Sequence, residues 1–257
     1  MSEVGRVFIT GASSGIGAEL ARHYAGRGAS LGLVARRESA LRDLVRQLPG
    51  RHQILVADVT DAAAMRAAAA QFTVAAGTPD IVIANAGVSV GTSSEEAGDI
   101  QAFRRVIDTN VLGLLHTFQP FLAAMKQRGA GRLVGIASVA GIRGLPGAAA
   151  YSASKAAAIS YLESLRVELR GSGVRVLTLA PGYIETPMTA DNPYPMPFIL
   201  PVAVAVRRFA AAIDAGRSYA VIPWQMAVVA KLLRLLPNPL YDALFARAGR
   251  KPRQPDI

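Results

Sequence analysis

Two residues of opposite proton chemistry stand four apart in the run Tyr151-Ser152-Ala153-Ser154-Lys155. On a helix that spacing stacks a phenol and an ammonium on one face. A free tyrosine titrates near pH ~10, and a neighbouring fixed cation favours the phenolate and lowers that value. Tyr151 then acts as a general acid or base, with Lys155 tuning it. The pattern is short and its residues are common, so its weight depends on the frame around it.

Apolar, strand-like runs lie at 6–10, 30–35, 53–57, 81–84, 131–137, 175–180 and 219–222. The segments between them, including 17–27, 39–48, 62–76, 100–128 and 152–170, are long enough for crossover helices. This alternation predicts an α/β fold: a doubly wound, Rossmann-type parallel sheet of seven strands with helices on both faces. Ligands of such sheets sit at the carboxyl ends of the strands, where the glycine-rich and polar sequences of this chain fall.

The chain has 257 residues, enough for one well-cored domain, and neither linker nor internal repeat divides it. Residues 1–223 read as the catalytic body and 224–257 as a C-terminal helical extension with a basic tail, part of the same domain. Hydrophobic residues make up 51% and charged residues 18%, the balance of a folded protein. Cysteine is absent, which excludes disulfides and a thiolate nucleophile. His23, His52 and His116 are scattered without metal-ligand spacing, so no metal is expected. Met1 leads into the first strand too quickly for a signal peptide, and a cytoplasmic location is the expectation. A net charge of +10 is compatible with nucleic acid, anionic membrane or a phosphorylated ligand. Basic pairs spread along the chain, with no recognition-helix or zinc pattern, argue against nucleic acid.

Directly after the first strand comes Thr10-Gly11-Ala12-Ser13-Ser14-Gly15-Ile16-Gly17. Gly11, Gly15 and Gly17 remove side chains where backbone approaches a pyrophosphate, and the amides of Ser13, Ser14 and Ile16 complete the turn into a helix amino terminus. The second strand ends in Val34-Ala35-Arg36-Arg37. No carboxylate stands at position 35 to hold a ribose hydroxyl; Arg36 instead offers a planar fork matched to a 2′-phosphate, with Arg37 as a second cation. NADP(H) is therefore favoured over NAD(H). After the third strand, Asp58-Val59 places an acceptor for the adenine amino group, and after the fourth, Asn85-Ala86-Gly87 lines the cofactor.

Taken in order, these motifs resemble the short-chain dehydrogenase/reductase family over about 5–223. The family's T-G-x-x-x-G-x-G corresponds to Thr10 through Gly17, its N-A-G to Asn85 through Gly87, its asparagine to Asn110, its serine to Ser138, its Y-x-x-x-K to Tyr151 and Lys155, and its P-G to Pro181-Gly182. The resemblance implies hydride exchange between NADP(H) and a carbonyl or secondary alcohol. Tyr151 would transfer the proton, Ser138 bind the substrate oxygen, Lys155 hold the nicotinamide ribose and depress the Tyr151 pKa, and Asn110 retain water in a proton relay. Ile184 and Thr186 would contact the nicotinamide carboxamide. The arginine that some NADP enzymes carry before the second glycine is Ser14 here, so cofactor choice rests on Arg36.

Residues 187–201 then read as a substrate lid, and Tyr194, Met196, Phe198, Ile199 and Leu200 make it apolar. The expected substrate is a small, lipophilic ketone or 3-oxoacyl-type carbonyl compound. The alternatives are a catalytically idle NADP-binding scaffold or a membrane-surface interaction protein.

Past Pro223 the sequence predicts two short helices. Trp224, Val228, Leu232 and Leu235 share one face of the first, while Leu240, Leu244 and Phe245 mark the second. This segment is too short and too cationic to span a bilayer, but 224–253 suits either packing on protein or peripheral membrane contact. By covering the edge through which many relatives form tetramers, it favours a homodimer, with a tetramer as the alternative.

Overall fold

Seven parallel strands form one sheet: β1 (Arg6–Thr10), β2 (Ser30–Ala35), β3 (Gln53–Val56), β4 (Ile81–Ala84), β5 (Gly131–Ile136), β6 (Val174–Pro181) and, past two short strands, β9 (Tyr219–Ile222), in the order β3-β2-β1-β4-β5-β6-β9. The computed structural model describes residues 5–253; Met1 to Val4 and residues 254–257 of the expected 1–257 domain lie outside them. Chain direction across the sheet reverses between β1 and β4, which opens a crevice at their carboxyl ends. Helices α1 (Gly15–Ala25), α2 (Glu38–Arg46), α3 (Ala62–Ala76), α4 (Asp99–Ile107), α5 (Gly113–Arg128), α6 (Ala149–Glu168) and α8 (Val202–Asp214) connect the strands.

Both faces of the sheet are covered, so the strands read as continuous apolar runs and their alternation divides residues between two cores. In β1, Val7 and Ile9 point into the core under α1 and α8, whereas Phe8 points into the core under α3, α5 and α6. Phe8 is fully buried, with edge contacts to Phe72 of α3 at 5.6 Å and Phe121 of α5 at 4.8 Å between ring centroids.

The structure adds to the sequence expectation in three places. The segment 100–128 is not one helix: α4 and α5 are separated by a π-helical turn at Asp108–Leu112. A second, two-stranded sheet of β7 (Ile184–Glu185) and β8 (Leu200–Pro201) brackets the lid, which also carries the short helix α7 (Pro187–Ala190). The extension does form two helices, α9 (Trp224–Leu235) and α10 (Asn238–Phe245), but the stripe Trp224, Val228, Leu232 and Leu235 faces outward. Met226 and Ala230 are the buried residues of α9, and Tyr241 is that of α10. Among the described residues no helix is long and apolar enough to cross a membrane.

Arginines fasten the extension at its middle and at its far end. Arg143 donates to the carbonyls of Leu233 and Leu236, which α9 leaves without helical partners, and to Asn238 Oδ1. Its guanidinium also lies 3.8 Å from the centroid of the Tyr241 ring. Arg253 grips Asp99 with two bonds, Nε to Oδ2 at 2.9 Å and Nη2 to Oδ1 at 3.1 Å, and Asp99 is buried at the start of α4. That pairing, with the Ser93 amide, holds the Asp99 carboxyl below its ordinary range.

Phe8 joins β1 to two covering helices, so Phe8→Ala is expected to lower unfolding free energy by about 3–5 kcal/mol. Chemical denaturation followed by circular dichroism measures it; a loss under ~1 kcal/mol would show that the site collapses around the cavity.

Candidate active site

The glycine-rich turn is shaped by neighbouring backbone as much as by any ligand. Gly11 has a φ of +65°, and a Cβ there would lie 2.8 Å from the Ala86 Cα. A Cβ on Gly17 would lie 2.2 Å from the Gly11 carbonyl oxygen, so Gly17 lets α1 pack against its own entry turn. Gly11, Ser13, Ser14, Gly15 and Ile16 line the cleft, with Gly17 packed behind them. Asn85 reinforces the same contact, its Nδ2 donating to the carbonyls of Thr10 at 3.0 Å and Gly11 at 3.2 Å. In return Thr10 Oγ1 accepts from the amides of Asn85 and Ala86. The ends of β1 and β4 are thereby locked across the crevice, and the Asn85 side chain serves the turn.

A cleft of about 580 Å³ follows the carboxyl edge of the sheet. That volume lies within the range of ligand sites. Arg36, Arg37, Asp58, Val59, Asn85, Ala86, Gly87, Tyr151, Lys155, Pro181, Gly182, Ile184 and Thr186 all line it, as does Ser138. Arg36 Nη1 stands 3.7 Å from Asp58 Oδ2, and Arg37 Nη2 donates to Ser13 Oγ at 3.4 Å. Asp58 Oδ1 accepts from the amide and hydroxyl of Thr60, both at 2.9 Å. Arg105 and Thr109, a helical turn apart, also line the cleft and were not anticipated; their spacing carried the signal, but no glycine or acidic motif marked it.

Asn110 sits in the π-helical turn, where the extra residue aims its side chain inward. Its Nδ2 donates to the Val88 carbonyl and its Oδ1 accepts from the Val88 amide, at 2.9 and 2.8 Å. Asn110 Nδ2 also donates to Ser154 Oγ at 2.9 Å, and Ser154 Oγ donates to the Tyr151 carbonyl at 2.8 Å. Asn110 therefore ties the segment that follows Gly87 to the helix that carries Tyr151 and Lys155. Ser154 is a positioning residue hidden inside the Tyr-Lys motif.

Ser138 precedes the 3₁₀ turn Val139–Gly141 and caps it, its Oγ accepting from the Ala140 amide at 3.1 Å. That turn presses on α6: a Cβ at Gly141 would fall 2.6 Å from the Lys155 carbonyl carbon. The close approach brings Ser138 near enough to the Tyr151 phenol to act on its pKa, and both line the same cleft.

Lys155 is 5% exposed, and its Nζ donates to the Ile136 carbonyl at 2.8 Å. Burial pulls its ammonium down to about 8. Tyr151 differs from expectation. Burial pushes its phenol above the ordinary value, Ser138 opposes this, and Lys155 is not what lowers it. The ammonium is directed at the Ile136 carbonyl, 5.7 Å from the Tyr151 ring centroid, so the phenol remains neutral at physiological pH.

These residues fit a dinucleotide: a turn stripped of side chains at a helix amino terminus, arginines at the far rim, and a buried ammonium with N–H donors beyond the one given to Ile136.

Comparison with known proteins agrees with this geometry. A solved short-chain dehydrogenase of Burkholderia cenocepacia in complex with NADP superposes with a TM-score of 0.82 at 29% identity, covering 95% of this chain and 99% of that one. Another, from Burkholderia phymatum in complex with NAD, superposes with a TM-score of 0.82 at 25% identity, over 99% and 100% of the two chains. An uncharacterised oxidoreductase of Myxococcus xanthus is 42% identical over 93% of this chain and 95% of its own. The family model described as short chain dehydrogenase matches residues 6–195. That match spans well over half of the sequence, and the chain belongs to the short-chain dehydrogenase/reductase family of oxidoreductases.

Proposed function

We propose that this oxidoreductase uses NADP(H) and works chiefly as a reductase, converting a lipophilic ketone or 3-oxoacyl-type carbonyl to the secondary alcohol. The observation that carries the reading is that Tyr151, Ser138 and Lys155 line one cleft, where burial favours the protonated phenol, a proton donor. A bound nicotinamide supplies the hydride. Ser138 and Tyr151 hydrogen-bond the carbonyl oxygen, and Tyr151 delivers its proton there as the carbon is reduced, leaving a phenolate. The Lys155 ammonium, on the same helix face, stabilises that phenolate until a proton from solvent restores it.

Arg36 supports the preference for NADP(H). It stands at the end of β2, where a 2′-phosphate would lie, and Asp58 holds its guanidinium over the rim. One similar structure holds NADP and another NAD, so membership of the family does not by itself choose the nucleotide. The lid supports an apolar substrate through Tyr194, Met196, Ile199 and Leu200, which are half-buried, and through Met188, which lines the cleft.

Screening NADPH oxidation against ketones and 3-oxoacyl compounds of graded chain length tests the substrate class; activity confined to short, charged ketones would overturn it. Tyr151→Phe should keep cofactor affinity and lower turnover by at least ~100-fold. Near wild-type turnover in that variant would refute the proton-transfer role. Arg36→Ala should weaken NADPH by ~1.5–3 kcal/mol and leave NADH nearly unchanged in calorimetry. Equal losses for both nucleotides would remove Arg36 as the discriminator.

Lys155 yields a pH prediction. Its free-protein pKa of about 8 means that many copies are uncharged near pH ~8.5, and an anionic cofactor favours the ammonium. Binding at that pH should therefore take up protons, affinity should fall as pH rises through that range, and the uptake should vanish near pH ~6.5, where Lys155 is already charged. Calorimetry in buffers of different ionisation enthalpy reads this directly; an unchanged uptake in Lys155→Met would assign it elsewhere.

A further inference from the structure

Helix α9 carries apolar residues around most of its circumference, yet only one side of it is packed. Met226 and Ala230 face inward, whereas Trp224, Val228, Leu232 and Leu235 are 67%, 47%, 60% and 79% exposed. At about 100° per residue these four fall within about 80° of arc. Leu240 and Leu244, one turn apart on α10, are exposed as well. The surface is held firmly, because Arg143 binds the end of α9, Asn238 and the Tyr241 ring together. A fixed apolar face of this kind in water marks a contact surface.

Charge decides what covers it. Lys231 and Arg234 are exposed beside the stripe, and residues 224–236 contain no acid at all; α10 contributes the single carboxylate Asp242. A two-fold contact with a second copy would present the same residues to themselves. It would desolvate Lys231 and Arg234 with no carboxylate from α9 to receive them. An anionic bilayer satisfies both demands: the leucines and the indole enter the interface while the lysine and arginine extend to lipid phosphates. Arg247 and Arg250, exposed further along, add attraction of the same sign.

We propose that the outward face of α9 and α10 docks peripherally on an anionic lipid surface. This inference is independent of the carbonyl chemistry proposed above, since nothing in it depends on turnover.

Trp224 is the only tryptophan in the chain and lies on the proposed face, so the unmodified protein carries its own reporter. With phosphatidylglycerol/phosphatidylcholine vesicles at low salt, the protein should sediment with lipid, shift its emission to the blue and be quenched by brominated acyl chains. Neutral phosphatidylcholine vesicles should bind it several-fold less. High salt should weaken binding to the anionic vesicles without abolishing it, because the apolar share persists. The double change Leu232→Glu with Leu235→Glu should reduce partitioning at least ~tenfold while NADPH affinity, a check on folding, is retained. Absence of sedimentation with an unshifted tryptophan in the wild-type protein would overturn the proposal. So would a concentration-dependent dimer that buries Trp224 without lipid, which would assign the face to a second copy.

Discussion

An ammonium buried at the carboxyl edge of a sheet has to be met by oxygen, and Lys155 meets the Ile136 carbonyl at the end of β5. That requirement fixes the rotation and height of α6 against the sheet. The Gly141 turn comes into backbone contact with α6 at this level, and Ser138 arrives with it. On the other side, Asn110 reaches Ser154 from a π-helical turn and satisfies both backbone groups of Val88 at once. Tyr151 is thus placed by a set of bonds that never touch its own hydroxyl. Its phenol is left with Ser138 as partner and the cleft in front of it.

The same arrangement explains why Lys155 does not tune the resting phenol. Burial disfavours the charged form of both groups, weakening the ammonium and raising the tyrosine together. Ion pairing between them becomes favourable only once the phenol has lost its proton. A lysine held by a backbone carbonyl is a reserve of positive charge, felt most when negative charge develops nearby.

The sheet was legible in the sequence because its strands are buried on both faces and read as apolar runs of strand length, as at 81–84 and 219–222. The site was legible for a different reason. Its residues occupy fixed offsets from strand ends, so Gly11, Arg36, Asp58 and Asn85 converge on one cleft once the strands are parallel. What escaped was set through space. Helical periodicity runs straight through 100–128 and cannot show a π-helical turn whose partners are the Val88 backbone and Ser154. The pairing of β7 with β8 is two residues long, below any pattern, and Gly17 gave no sign that its constraint is the Gly11 carbonyl. In α9 the apolar stripe was visible but its direction was not, since apolar residues on most sides of the helix leave only a narrow polar side to assign to water.

Direction there is imposed from outside the helix. Arg143, in the loop between Ser138 and Tyr151, takes the terminal carbonyls of α9, and Arg253 takes Asp99 at the head of α4. Between these two clamps the tail crosses the lid, with Lys251 Nζ donating to the Met188 carbonyl and the Gly91 amide donating to the Pro252 carbonyl. Met188 lines the cofactor cleft, so the tail rests on a wall of the site. The extension is consequently bonded near its middle to the loop that follows Ser138 and near its far end to the lid. Neither arginine takes part in the seven-strand ladder, so the bonds that place the extension are separate from those that hold the sheet.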